Sequence, residues 1–351
     1  MFSPFHFWRL IVIGLILLAA LVIVPVLAQD ATPAPVGLRP DAPTYALHGP
    51  YWVGTTQFPA NTNTHHTNVL LLYPALNPKA RAESNMYSFR LSNGSLAPVL
   101  GHAILSAVPD TANGPYPVVI WAHGWETNNV MSVFLGEHLA SYGFVVVSIN
   151  YADNSETAGT VERYSTLYSR LQDVTWQLDQ IATWTGDNGM LAGMIDAEHV
   201  AVVGYSHGGY TALGAGGARL DFSVLHQQVN EPEICVLRPE AGGGNVCADL
   251  LNHQSELADL AGLNAMPEEV WPNWGDTRID GVVALAPPGR FFGFHGLQSL
   301  SVPAMLLVGS RDQWVSPEYD VYQPYDYMGS IQKSLVVLEG GNHFIFMGDC
   351  E

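Results

Sequence analysis

The 351-residue sequence predicts an α/β fold in which a mostly parallel, doubly wound sheet is covered by helices and interrupted by one lid-like insertion. Three observations carry that expectation. Apolar runs of strand length recur at 117–122, 144–149, 199–203, 281–286, 303–309 and 334–338, and a strand apolar throughout is one buried on both faces. Between them lie segments of helical spacing: Val130, Met131, Phe134, Leu135 and Leu139, stopping at Gly143, then Leu167, Leu171, Val174, Leu178, Ile181 and Trp184, stopping at Gly186. Strand, helix, strand is the βαβ rhythm of a parallel sheet. The rhythm breaks once, across the acidic stretch 219–278 with Trp271 and Trp274, which reads as a lid or cap above the site.

In chain order, Arg9 precedes an apolar run over 10–24, and Pro25-Val26-Leu27-Ala28 follows it. Those are the basic, apolar and small-residue parts of a secretory signal, so 1–28 is expected to be removed on export. Left uncut, the same stretch would be a membrane tether through residues 10–28. Pro33, Pro35, Pro40 and Pro43 make 29–50 an extended linker. The domain then fills 51–351, with 68–74 as its first strand and 99–107 as a second candidate.

Apolar residues make up 48% of the chain, enough for a large core. A formal net charge of −19 repels phosphate backbones and argues against nucleic acid as a partner. Cys235 and Cys247 flank a glycine-rich loop and can close it as one bridge, which suits an oxidising compartment and leaves Cys350 over. Three unpaired thiols are the other arrangement.

The stretch the chain is organised around is Gly204-Tyr205-Ser206-His207-Gly208, a G-x-S-x-G between an apolar run and a small-residue run. A strand-to-helix turn that tight admits no side chain at 204 or 208, and it lifts the serine hydroxyl clear of the sheet. Serine needs a base to take its proton, and the base needs an acid to fix its tautomer. Asp312 stands just past the apolar run ending at Gly309, and His343 just past the run ending at Leu338. In open parallel sheets those are the positions where loops converge. Asp320 and Asp326 compete with Asp312, but their surroundings read as a solvated helix or turn. The oxyanion hole is expected from the backbone N–H groups of Trp125, after His123-Gly124, and of His207. Metal readings are weak: His65-His66 sits in a polar loop, and His123 with Glu126 lacks further ligands. The chemistry calls for no cofactor.

With those motifs placed, the chain resembles the α/β-hydrolase superfamily, in which the order Ser, Asp, His is the usual one. Within it the sequence is similar to the dienelactone-hydrolase-like and platelet-activating-factor-acetylhydrolase-like esterases, relatives of polyester-degrading cutinases. Tyr73-Pro74-Ala75, Arg170-Leu171-Gln172-Asp173 and Leu178-Asp179-Gln180-Ile181 match secondary motifs of that group. Two departures stand out. Dienelactone hydrolases use a cysteine where this chain has Ser206, so lactone specificity does not follow. Family members also continue into a helix after the histidine, whereas this sequence stops eight residues beyond His343, so the resemblance implies a domain lacking its C-terminal helix.

The expectation is a secreted or extracytoplasmic serine hydrolase of small-molecule or lipid esters. Ser206, His343 and Asp312 would form the triad, and Trp125 and His207 would supply the oxyanion hole. An exopeptidase or acylaminoacyl peptidase on the same fold is the rival enzyme. A surface-binding protein with an inert triad is the rival outside catalysis. Acyl length, alcohol and oligomeric state are not written in the sequence.

Overall fold

The structure, a computed structural model, describes residues 44–186, 189, 191–230, 235 and 245–347. The chain divides into two units: Met1–Leu47, in which Thr44–Ala46 forms a single 3-10 turn, and His48–Glu351. The expected signal over 1–28, the linker up to residue 43, and Cys350 lie outside the described residues.

Twelve strands are described in the larger unit, ten of them in one sheet. Strands β7 (Tyr116–Ala122), β8 (Val145–Ile149), β9 (Ile195–Tyr205), β10 (Gly281–Leu285), β11 (Ala304–Gly309) and β12 (Lys333–Leu338) form its parallel part, in the order β12-β11-β10-β9-β7-β8. Their apolar runs are the ones legible in the sequence. Beyond β8 the direction reverses: β2 (His66–Leu76) pairs antiparallel with β8, and β1 (Trp52–Asn61) antiparallel with β2. β1 escapes a reading by apolar content because Gly54, Thr55, Thr56, Gln57 and Pro59 interrupt its apolar residues and its outer half is only partly buried.

The expected strand over 99–107 is corrected. β4 (Leu96–Gly101) pairs with β3 (Asn85–Arg90) in a separate two-stranded sheet, and the chain turns before β5 (Ile104–Leu105) joins β1 and β6 (Val108–Pro109) joins β2. The turn has a cause. The buried carboxylate of Glu137 accepts the N–H groups of His102 (2.8 Å) and Ala103 (2.9 Å) and the Tyr87 hydroxyl (2.9 Å), which removes those amides from any ladder.

Alternation along the strands feeds two cores. On one face Val69, Leu71, Ile120 and Val202 pack with Leu167, Leu171 and Val174 of α2 (Arg163–Thr185) and with Tyr210 and Leu213 of α3 (His207–Ala215). On the other, Leu70, Leu72, Val119 and Trp121 pack with Val133 and Ala140 of α1 (Val133–Ser141). Within the insertion, α4 (Ser223–Gln228), α5 (Val246–Asn252) and α6 (Gln254–Leu260) bury Leu225, Leu250 and Leu257 in the α2 and α3 core, beside Trp271. A disulfide joins Cys235 to Cys247 of α5.

Candidate active site

Ser206 sits between β9 and α3 with φ +54° and ψ −119°, a left-handed backbone that L-residues rarely adopt. Such a conformation costs about 1–3 kcal/mol and persists only when its surroundings fix it. Here the fixing is tight. A Cβ at Gly204 would lie 1.9 Å from the Gly208 carbonyl oxygen, and one at Gly208 would lie 1.9 Å from that of Ala122. The Ser206 N–H donates to Leu285 O (2.7 Å), tying the turn to β10.

Two loops bring the other sequence candidates to this turn. His343 Nε2 lies 2.9 Å from Ser206 Oγ, and its Nδ1 lies 2.7 Å from Asp312 Oδ2. The second Asp312 oxygen, Oδ1, accepts the N–H groups of Trp314 (2.8 Å) and Val315 (3.1 Å). A carboxylate with three donors and no side-chain exposure can turn only by losing bonds. The His343 ring is held between aromatic neighbours: Trp314 stacks on it at 11° and 5.6 Å, and Tyr205 tilts against it at 5.2 Å. Close approach of the two loops needs glycine, since a Cβ at Gly309 would lie 2.3 Å from the Gly341 carbonyl oxygen.

The competing aspartates are not brought to His343. Asp326 is exposed, as expected. Asp320 is not solvated, and that expectation is corrected: it is wholly buried, bound in a fork by Arg290 (Nε to Oδ1, 2.5 Å) and by the Ser316 N–H (2.7 Å). Its partner is 30 residues away, so local sequence could not reveal the burial.

Gly124 and Trp125 pass directly against the serine. A Cβ at Gly124 would lie 3.2 Å from the Tyr205 ring and 3.4 Å from Ser206 Cβ. His207, the first residue of α3, stacks on Tyr210 at 9°, and the Trp125 ring meets its edge. Burial, then the positive charge of Arg170, holds the His207 imidazole well below its usual range, so the ring is neutral. The Thr166 hydroxyl donates to Arg163 O (2.7 Å), leaving His207 Nε2 to donate to the same Oγ1 (2.7 Å).

His123 has both ring nitrogens taken by the backbone. Burial and Arg170 push it down to about 3, and its two nitrogens are engaged with Gly124 O (2.7 Å) and the Tyr151 N–H (3.0 Å). His65 Nε2 contacts Asn150 O (3.0 Å), and His66 Nδ1 contacts Asn61 Oδ1. Among the described residues no group of three or more His, Cys, Asp or Glu could hold a metal ion.

Reasoning from the residues missed the ion pair beneath this loop; only the Arg-x-x-Asp resemblance touched it. Arg170 forks onto Asp153 (Nε to Oδ1, 2.9 Å; Nη2 to Oδ2, 2.6 Å), with both side chains almost wholly buried. Burial would raise the Asp153 carboxyl, but the Arg170 charge and its hydrogen bonds overcome that and hold it below the usual carboxylate range.

A cavity of about 600 Å³ opens over Ser206 and His343. Leu167, Val246, Leu250, Phe291, Trp125, Trp314, Phe344 and Met347 give it apolar and aromatic walls, with Glu126, Arg163 and Asp249 supplying charge. Val246 and Leu250 belong to α5, so the insertion forms part of the wall. Residues 231–234 and 236–244 of that insertion lie outside the described residues.

Residues 82–227 match the chlorophyllase family model. Among solved structures, the ferulic acid esterase from Streptomyces cinnamoneus is 19% identical over 88% of this chain and 78% of that one, at a TM-score of 0.55. A cold-adapted esterase from an Arctic intertidal metagenomic library is 12% identical over 83% of this chain and 86% of that one, at a TM-score of 0.44. No curated protein sequence matches. The chain has the α/β-hydrolase fold, and the chlorophyllase match supports a carboxylic ester hydrolase, in agreement with the resemblance read from the sequence.

Proposed function

We propose that this α/β-hydrolase-fold chain cleaves carboxylic esters through Ser206, His343 and Asp312. Ser206 Oγ attacks the ester carbonyl while its proton passes to His343 Nε2. The tetrahedral oxyanion rests on the Trp125 and His207 amides. Its collapse expels the alcohol, which takes the proton back from Nε2 and leaves Ser206 acylated. Water then attacks the acyl group, His343 again holds the proton in transit, and the acid departs with Ser206 restored. Asp312 keeps the Nδ1–H tautomer and steadies the imidazolium.

One observation carries the reading: the unbroken line Ser206 Oγ, His343, Asp312 at 2.9 Å and 2.7 Å, on a serine whose backbone is held in a conformation it would otherwise leave. Apolar and aromatic walls favour an ester with an apolar acyl or alcohol part, a lipid ester included. We read 1–28 as the export segment that would place the enzyme outside the cytoplasm. The test is labelling by a fluorophosphonate together with p-nitrophenyl ester hydrolysis. Wild-type protein is expected to do both, and Ser206→Ala to lose labelling and about 10⁴-fold or more of kcat/KM. Unlabelled wild-type protein, or hydrolysis that survives Ser206→Ala, overturns the reading.

A further inference from the structure

We propose that Arg170, with Thr127, is a positioning residue for this reaction: it aims the Trp125 N–H at the oxyanion by holding the other end of the same peptide unit. The inference rests on the reading of Trp125 as an oxyanion donor. A trans peptide is planar, with C=O and N–H pointing opposite ways, so whatever fixes the Gly124 carbonyl fixes the Trp125 N–H.

That carbonyl is held by three donors: His123 Nδ1 (2.7 Å), Thr127 Oγ1 (3.0 Å) and Arg170 Nη2 (3.2 Å). A carbonyl oxygen has two lone pairs, so three donors saturate it. Two of the donors, His123 and Arg170, are themselves fixed. The Tyr151 N–H donates to His123 Nε2, which forces the His123 proton onto Nδ1 and towards Gly124. Arg170 Nη1 takes the preceding carbonyl, His123 O (2.6 Å), while its remaining fork grips Asp153 and its plane lies over the Tyr151 ring at 4.4 Å.

Asp153 closes the arrangement from the far side, because its backbone oxygen accepts the Glu126 N–H (3.1 Å). Glu126 has φ +56°, a left-handed turn at a non-glycine residue. The peptides before and after Trp125 are thus both tied to one buried ion pair, and Gly124, Trp125 and Glu126 all face the cavity over Ser206.

Thr127→Val removes one donor with little change of volume; Arg170→Lys keeps the charge but not the fork; Arg170→Gln loses both. The expected losses in kcat are about 3- to 10-fold for Thr127→Val and about 100-fold for Arg170→Gln, with Arg170→Lys between, and KM within about twofold. The discriminating readout is an alkylboronic acid, whose tetrahedral adduct places an oxygen where the oxyanion forms. Its Kd should rise by the same factor as kcat/KM falls, which a merely structural role would not produce. Should Arg170→Gln fail to fold, Thr127→Val carries the test. Folded Thr127→Val and Arg170→Lys with kcat and boronate affinity within twofold of wild type, while Ser206→Ala is inactive, overturn the inference alone. Activity surviving Ser206→Ala overturns the reading beneath it.

Discussion

On one side of the sheet β8, β7, β9, β10, β11 and β12 run parallel, and the chain leaves every one of them at the same edge; on the other, β2 and β1 run antiparallel and it turns back. Trp125 follows β7, Asp153 follows β8, Ser206 follows β9, Asp312 follows β11 and His343 follows β12. Parallel strands therefore bring residues 218 positions apart, Trp125 and His343, around one cavity. The antiparallel side also buries polar groups, but to a different end. There Glu137 collects three donors from β3 and from the turn after β4, and neither it nor Tyr87, His102 or Ala103 lines the cavity. Equal depth of burial thus predicts different losses, in turnover on the parallel side and in stability on the other.

The sharpest way to break that contrast is Asp312→Asn. It preserves shape and most bonds but offers Nδ1 the wrong partner, so kcat should fall by about 10⁴-fold while the melting temperature moves by a few degrees at most. Activity within tenfold of wild type would remove Asp312 from the reaction. Next in size is Glu137→Ala, which strands the buried donors of Tyr87 and Ala103 and frees that of His102. Chemical denaturation should report a loss of about 2–4 kcal/mol, with kcat per folded molecule unchanged. A fall in kcat there would mean that the two sides are coupled.

A smaller, pH-dependent effect sharpens the comparison inside the parallel half. Burial raises the carboxyl of Asp173, on α2, to about 7; the residue lines no part of the cavity and has no role in the proposed chemistry. Between about 4 and 7 the folded chain then holds a proton that the unfolded chain has released, so this group lowers stability as pH rises through that window. Asp173→Asn removes the titration. Its stability relative to wild type should improve from pH 5 to pH 8 by about 2–3 kcal/mol, read from melting at the two pH values. An identical difference at both would show that Asp173 is ionised throughout.

Much of this could be read from the chain because the informative residues sit beside apolar strands. Ser206 lies between a Val-rich run and a small-residue helix, and Asp312 and His343 each follow a run whose end is marked by glycine. What resisted reading depends on partners distant in sequence. Asp320 looks solvated until Arg290 is brought to it, and Arg170 stands on α2 with no local sign that its fork reaches Asp153 and the carbonyls of His123 and Gly124. β1 and β3 were hidden for another reason: β1, flanked on its outer side only by the two-residue β5, and β3, in a separate hairpin, each have exposed positions and a mixed composition that resembles that of a loop.

The wall supplied by α5 has a consequence for how this molecule could be altered. Val246 and Leu250 reach the cavity from a stretch that holds none of Ser206, Asp312 or His343, and Cys247 on the same short helix is bonded to Cys235. This part of the wall and the proposed triad are encoded in separate segments, so exchanging residues along that one helix would retune which molecules the cavity admits while Ser206, His343 and Asp312 stay as they are.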